Sequence, residues 1–309
     1  MAASESRYRK YSEHLKMKYG ETVYKMPLNL IGTCPNRDGL KGVGGCIFCD
    51  QQGSGFNALS SVLTVKQQIA ENKEFFSSRF GAKKFINYFQ SYSNTYLPVD
   101  QFRENLQAAC GEDIVAISVS TRPDCVSEGH LDVLEEISRD QGVDINVELG
   151  LQTVNYRTLR IINRGHTLGE FVDAVNRVKA RGFAVCVHMI LNLPWDDMED
   201  VIEGAKFLSA FQVEYVKLHS LYVVEGTKLA DMYSAGEIEM VSFQDYLERV
   251  AAFIRYLRPE IVIQRLAAKG PKEKLLYSNW DLDYWQLVDA IEAFLESEDI
   301  IQGMDFNYL

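Results

Sequence analysis

Ile114-Val-Ala-Ile-Ser-Val-Ser120 leads through Glu128-Gly-His-Leu-Asp-Val-Leu-Glu-Glu-Ile-Ser-Arg139 to Ile145-Asn-Val-Glu-Leu-Gly-Leu151. The outer two segments are short and nearly continuously apolar, as strands buried on both faces are. The middle segment places Leu131, Leu134 and Ile137 at helical spacing, with charged residues between them. Strand, amphipathic helix and strand in this order form a βαβ unit, which calls for a parallel sheet.

The same unit recurs in both directions along the chain. Strands are expected over 28–33, 85–90, 114–120, 145–151, 183–191 and 215–222, with helices over 65–80, 99–110, 128–139, 168–180 and 198–211. Six units suit an α/β fold, a partial (β/α)6 TIM-type barrel of parallel strands. A doubly wound open sheet competes, but no Gly-x-Gly-x-x-Gly follows an early strand. In both architectures chemistry gathers at the C-terminal ends of the strands. Beyond Tyr222 the pattern changes to helices over 243–257 and 284–296 around a short strand over 261–264. The expected organisation is a basic N-terminal helix within 1–25, the barrel over 26–230, and a small helical and strand extension packed on it over 231–309.

The 309 residues are 47% hydrophobic and 24% charged, and no apolar run reaches the length of a membrane span. The first ten residues hold no apolar segment of the kind found in a secretory leader, so a soluble cytoplasmic protein without membrane partners is expected. The net charge of −11 is unevenly placed. From Tyr277 to Leu309 there are eight acids and no Lys or Arg, whereas Arg249 to Lys274 holds seven basic residues against two acids. Arg7 to Lys25 adds six basic residues against two acids. The two basic segments are candidates for a local phosphate-binding face, with solvated helix faces as the equal alternative.

Three of the six cysteines cluster in Cys34-Pro-Asn-Arg-Asp-Gly-Leu-Lys-Gly-Val-Gly-Gly-Cys46-Ile-Phe-Cys49, a C-x11-C-x2-C spacing on the loop after the first expected strand. Four glycines between Cys34 and Cys46 let the loop wrap closely around a bulky group. Three thiolates suit an iron–sulfur cluster that keeps one iron open to a further ligand. Zinc, with Cys125 or His188 recruited as a fourth ligand, is the alternative.

The loop resembles that of the radical S-adenosylmethionine (SAM) superfamily, where three cysteines hold a 4Fe–4S cluster and an aromatic residue, here Phe48, precedes the last. The usual spacing there is C-x3-C-x2-C, so the first gap is longer in this chain. Pro27-Leu-Asn-Leu30, Cys34-Pro-Asn-Arg-Asp-Gly39, Gly44-Gly-Cys-Ile-Phe-Cys49 and Tyr88-Phe-Gln-Ser-Tyr-Ser-Asn-Thr95 are similar to the YhcC-type subfamily, near the catalytic subunit of the elongator complex. The likeness runs from about Tyr11 to Gly303. It implies that Cys34, Cys46 and Cys49 bind a 4Fe–4S cluster, that SAM is the second cofactor, and that reductive cleavage of SAM yields a 5′-deoxyadenosyl radical which abstracts hydrogen from a substrate.

The resemblance also places residues around SAM. Gln90 and Ser91 follow the second strand, where the superfamily binds the SAM amino group. Glu148 lies within the fourth strand, where a buried carboxylate needs a partner: a ribose diol, the ammonium of SAM, or a neighbouring arginine. Gln152 and, twelve residues on, Arg164 match a pair that contacts SAM, with the Arg164 fork suited to its carboxylate. Thr121-Arg-Pro-Asp124 is shared with elongator-like proteins and implies that Arg122 and Asp124 face the site. His188 and His219 are read as supporting strand-end residues only, His188 more simply as core. The resemblance implies tRNA as substrate, with its wobble uridine as the target, and a flavodoxin or ferredoxin as electron donor. A small metabolite such as a porphyrin precursor, and a non-catalytic metal-stabilised RNA-binding protein, are the alternatives.

Overall fold

The structure is a computed structural model that describes residues 6–50, 53, 58–271 and 274–307. In chain order its elements are α1 (Tyr11–Tyr19), β1 (Val23–Leu28), α2 (Val65–Phe80), β2 (Lys84–Phe89), α3 (Val99–Ala108), β3 (Ile114–Thr121), α4 (Glu128–Gln141), β4 (Asp144–Gln152), α5 (Tyr156–Ile161) and α6 (Leu168–Ala180). They continue with β5 (Ala184–Ile190), α7 (Met198–Phe211), β6 (Tyr215–His219), β7 (Val223–Val224), α8 (Lys228–Ser234), α9 (Phe243–Tyr256), β8 (Val262–Arg265), β9 (Leu275–Tyr277) and α10 (Tyr284–Ser297). Seven parallel strands join in the order β1-β2-β3-β4-β5-β6-β8, the sequential topology of an incomplete β/α barrel. The α/β class read from the sequence is therefore the observed one.

Two expectations are corrected. The first strand is Val23–Leu28, five residues earlier than 28–33. Lys25 and Pro27 disguise it, but β1 is an edge strand pairing with β2, and an edge is where a sheet tolerates proline. The short C-terminal strand is the second correction. It joins the main sheet as β8, parallel to β6, and gives seven strands where six were expected.

The chain divides into two compact units. One holds residues 15–150 and 165–186. Its core is built from β1 to β4, with Met26, Leu28, Ile86, Phe89, Ile117, Val119, Val147 and Leu149 buried almost completely. Helices begin on local signals: Thr64 with Gln67 and Thr167 with Glu170 form capping boxes, and Ser127 caps α4. The other unit holds residues 1–14, 151–164 and 187–309. There the apolar stripe of α9, including Tyr246, Val250, Phe253 and Ile254, is buried. Asp197 and Asp283 start α7 and α10 with capping boxes.

Candidate metal and cofactor site

The cysteine loop leaves the C-terminal end of β1 and folds on itself. Arg37 N–H donates to Cys34 O (2.8 Å), Gly45 N–H to Asn36 O (2.8 Å) and Cys49 N–H to Cys46 O (3.0 Å). Gly45 has φ +85°, and a Cβ there would stand 3.1 Å from Arg37 Cγ, so a side chain at this turn would displace Arg37. Gly165 (φ +76°) makes a second cradle, where a Cβ would lie 2.6 Å from Asn36 Oδ1.

Side chains from the long first gap reach the sulfurs. Asn36, fully buried, directs Nδ2 at Cys46 Sγ (3.8 Å), and Arg37 directs a terminal nitrogen at Cys49 Sγ (3.7 Å) while donating to Asp50 O (2.6 Å). Burial, then the neighbouring Cys46, pushes the Cys49 thiol up to about 12, with Arg37 acting the other way. A bound metal displaces such a proton outright. From the end of β3, Arg122 forms a two-pronged ion pair with Asp124 (Nε–Oδ1 2.8 Å, NH2–Oδ2 2.9 Å). Cys34 and Cys46 lie close enough to favour the charged form of Arg122. The donor set fits an iron–sulfur cluster: three soft thiols on one glycine-rich loop, N–H groups aimed at two of them, and a buried cation to offset thiolate charge. A cavity of about 240 Å³ adjoins the loop, lined by Pro35, Lys41, Thr95, Tyr96, Asp124 and Cys125 among others. Burial is also the main cause that pushes the Cys125 thiol up to about 11.

The other expected residues fall at strand ends or within strands. Gln90 continues from β2 and donates its N–H to Leu28 O (3.1 Å). Ser91 is buried, and its Oγ has no hydrogen-bond partner. Glu148, with a fully buried side chain, is ion-paired with Lys25 of β1, whose ammonium also sits over the Tyr88 ring at 4.0 Å. The partner is thus a lysine, which sequence reasoning passed over, and not the neighbouring arginine it named as an alternative. Cys34, Cys46, Cys49, Gln90, Ser91 and Glu148 share one unit, whereas Gln152 and Arg164 belong to the other. Gln152 ends β4 at φ +81°, a conformation costly for a residue with a Cβ. Arg164 is buried and donates its backbone N–H to Leu159 O (2.8 Å). His166 packs by contacts to Gly150 O (3.1 Å) and Thr167 O (3.3 Å).

The uneven charge of the sequence resolves into ion pairs. The acidic C-terminal stretch meets the basic residues of its own unit: Arg7 with Asp299 (2.5 Å), Lys10 with Glu292 (2.8 Å) and Arg255 with Asp305 (2.6 Å). Arg258 pairs with Glu260 (2.9 Å), and Arg249 donates to the carbonyls of Leu191, Leu193 and Asp196. In the other unit Lys18 pairs with Asp144 (2.9 Å). Several residues of the two basic segments are thus engaged within their own units; Lys272 lies outside the described residues.

Asn36, Arg37 and Lys25 were missed by sequence reasoning. The only signal was their place: two follow Cys34 directly, and one is a charge inside an apolar strand.

The profile of the radical SAM superfamily matches residues 28–208, and that of the radical SAM C-terminal domain matches residues 213–297. The chain is 34% identical over 307 residues to the protein YtqA of Bacillus subtilis (strain 168), covering 99% of this chain and 95% of that one. It is 33% identical over 290 residues to the protein YhcC of Escherichia coli (strain K12), covering 94% and 92%. A weaker likeness joins it to the tRNA uridine(34) acetyltransferase of Methanocaldococcus jannaschii, 27% identical over 155 residues, or 48% of this chain and 27% of that protein. Among solved structures, the archaeal Methanocaldococcus infernus Elp3 superposes with a TM-score of 0.68 at 19% identity, covering 91% of this chain and 64% of that chain, a likeness of fold. No helix of the described residues is long and apolar enough to cross a membrane. With the profile covering more than half its length and YtqA and YhcC aligned almost end to end, the chain belongs to the radical SAM superfamily, whose enzymes work with a 4Fe–4S cluster and SAM.

Proposed function

We propose that this radical SAM enzyme modifies a nucleoside of tRNA, with the wobble uridine as its target. The observation that carries the reading is the likeness to the tRNA uridine(34) acetyltransferase across about half of this chain. The likeness covers 27% of that protein, so its uridine target is what the reading takes from it, and its acetyl transfer is not carried over.

In this proposal Cys34, Cys46 and Cys49 hold the cluster. When bound, the cluster and SAM together supply a one-electron reductive cleavage that generates a carbon-centred radical able to take a hydrogen atom from substrate. The chain's own groups position and shield. Asn36 and Arg37 donate N–H groups to the cysteine sulfurs. Gln90 and Ser91, on the loop after β2, bind the SAM amino group, and the buried, unpartnered Ser91 Oγ supplies a hydrogen-bonding atom there. Glu148, ion-paired with Lys25, is the carboxylate this reading assigns to the ribose hydroxyls, and Gln152 and the Arg164 fork are the groups it assigns to the SAM carboxylate. Flavodoxin or ferredoxin supplies the electron.

The test is anaerobic incubation of the reconstituted enzyme with SAM, reductant and tRNA, followed by nucleoside mass spectrometry. The reading predicts a mass change at a uridine and faster 5′-deoxyadenosine formation when tRNA is present. Unchanged nucleosides together with tRNA-independent SAM cleavage would contradict it.

A further inference from the structure

We propose that Arg265, His219 and His188 form a binding site for a phosphate group of the substrate. All three belong to one compact unit, and they stand on β8, β6 and β5. Arg265 and His219 are the last residues of their strands, at the end where β/α folds place their chemistry.

The face they occupy is chemically different from its reverse. Along β6, Val216 and Leu218 are wholly buried apolar residues, whereas the alternate positions carry Lys217 and His219. Lys217 is the register partner of Arg265 on β8, so the two side chains leave the sheet on the same side. The His188 ring lies 5.1 Å from that of His219. A face built for packing alone would be apolar here, yet this one gathers two cations and two imidazoles.

Arg265 is the centre of the argument. Its NH2 group donates to His219 Nδ1 at 2.7 Å. A guanidinium is always a donor, so Nδ1 is the acceptor and the His219 proton sits on Nε2. The Arg265 Nε is buried with no hydrogen-bond partner, and among the described residues Arg265 makes no ion pair. Elsewhere in this unit Arg7, Arg255 and Arg258 pair with carboxylates, and Arg9 and Arg249 donate to backbone carbonyls. A half-buried guanidinium that lacks an anion and leaves a donor unsatisfied is costly unless a ligand supplies the acceptor. The Arg265 fork and the His219 Nε2–H, with the His188 ring beside them, suit the several oxygens of a phosphate better than a carboxylate, which one guanidinium fork already satisfies.

The site deepens the proposal that the substrate is a phosphate-bearing nucleic acid, and its test does not depend on turnover. The chain has only five histidines, so the imidazole nitrogen resonances of the full-length protein can be followed singly. Inorganic phosphate is the probe, with chloride at equal ionic strength as the reference. The expected result is saturable displacement of the His188 and His219 resonances, with those of His14 and His130 unmoved. In Arg265→Gln the same displacement should need about tenfold more phosphate or more, as loss of a charge-assisted hydrogen bond implies. Arg265→Lys keeps the charge, removes the fork, and should also weaken binding, which covers the case in which the glutamine variant fails to fold. Arg258→Gln, on a surface arginine, should bind as the parent does. Equal shifts at all five histidines, no shift, or an undiminished response in Arg265→Lys would overturn the site. A phosphate response in a protein that leaves tRNA unmodified would keep the site and reject the tRNA reading. Modified tRNA without the response would do the reverse.

Discussion

Arg122 and Asp124 are locked in a two-pronged ion pair with side chains only 3% and 2% exposed, two residues apart at the end of β3. Pro123 between them opens a short 3-10 turn, which brings the carboxylate back beneath the guanidinium. Cys34 and Cys46 are near enough to favour the charge on Arg122.

Removing one partner should therefore be worse than the loss of a surface pair. Asp124→Ala leaves a buried guanidinium uncompensated and is expected to lower unfolding stability by about 3–5 kcal/mol. Anaerobic urea denaturation measures this. A loss below about 1 kcal/mol, the level of an exposed ion pair, would contradict the role given to burial.

Arg37 brings a positive charge and an N–H group to Cys49 Sγ. Such contacts stabilise the more negative, reduced cluster, so Arg37→Gln should shift the cluster potential to a more negative value with iron and sulfide content retained. Redox titration followed by electron paramagnetic resonance reads the shift. An unmoved potential in a fully loaded variant would show that the arginine only shapes the loop.

Asp196 carries the opposite electrostatic burden. Burial pushes its carboxyl up from 3.8 to about 6, opposed by Thr153, Thr158 and Arg249 and reinforced by Asp200. The folded state then binds the proton more tightly than the unfolded chain does. Stability associated with this group is full below about pH 4 and is lost as pH rises through 6. Asp196→Asn should remove that slope and stabilise the protein at pH 8 by up to about 3 kcal/mol. Denaturation curves at pH 5 and pH 8 give the comparison, and an equal change at both values would place the effect elsewhere.

The helices at 65–80, 168–180 and 198–211 were legible to the residue because capping boxes begin them and one face of each is buried. β1 was not, because Lys25 and Pro27 break its apolar pattern; the compensation for each, Glu148 and an edge position, lies far away in sequence. β8 was found as a strand but not as part of the main sheet, since four residues carry no mark of which partner they will join. At the site, cysteine type and spacing pointed to the metal, whereas the groups that tune it depend on how the loop folds. Composition could not show which basic residues are engaged for a related reason: the counter-charges of Arg7, Lys10 and Arg255, namely Asp299, Glu292 and Asp305, sit in the acidic C-terminal stretch.

The central claim is that Cys34, Cys46 and Cys49 hold the cluster with which SAM is cleaved. Its most direct test compares the wild-type chain with Cys49→Ala, both reconstituted anaerobically with iron and sulfide and then given SAM and a strong reductant. The wild type should bind iron and sulfide in the proportion of a 4Fe–4S cluster and form 5′-deoxyadenosine, while Cys49→Ala should lose both. 5′-Deoxyadenosine formed equally by the variant, or a wild type that holds zinc without sulfide and leaves SAM intact, would contradict the assignment.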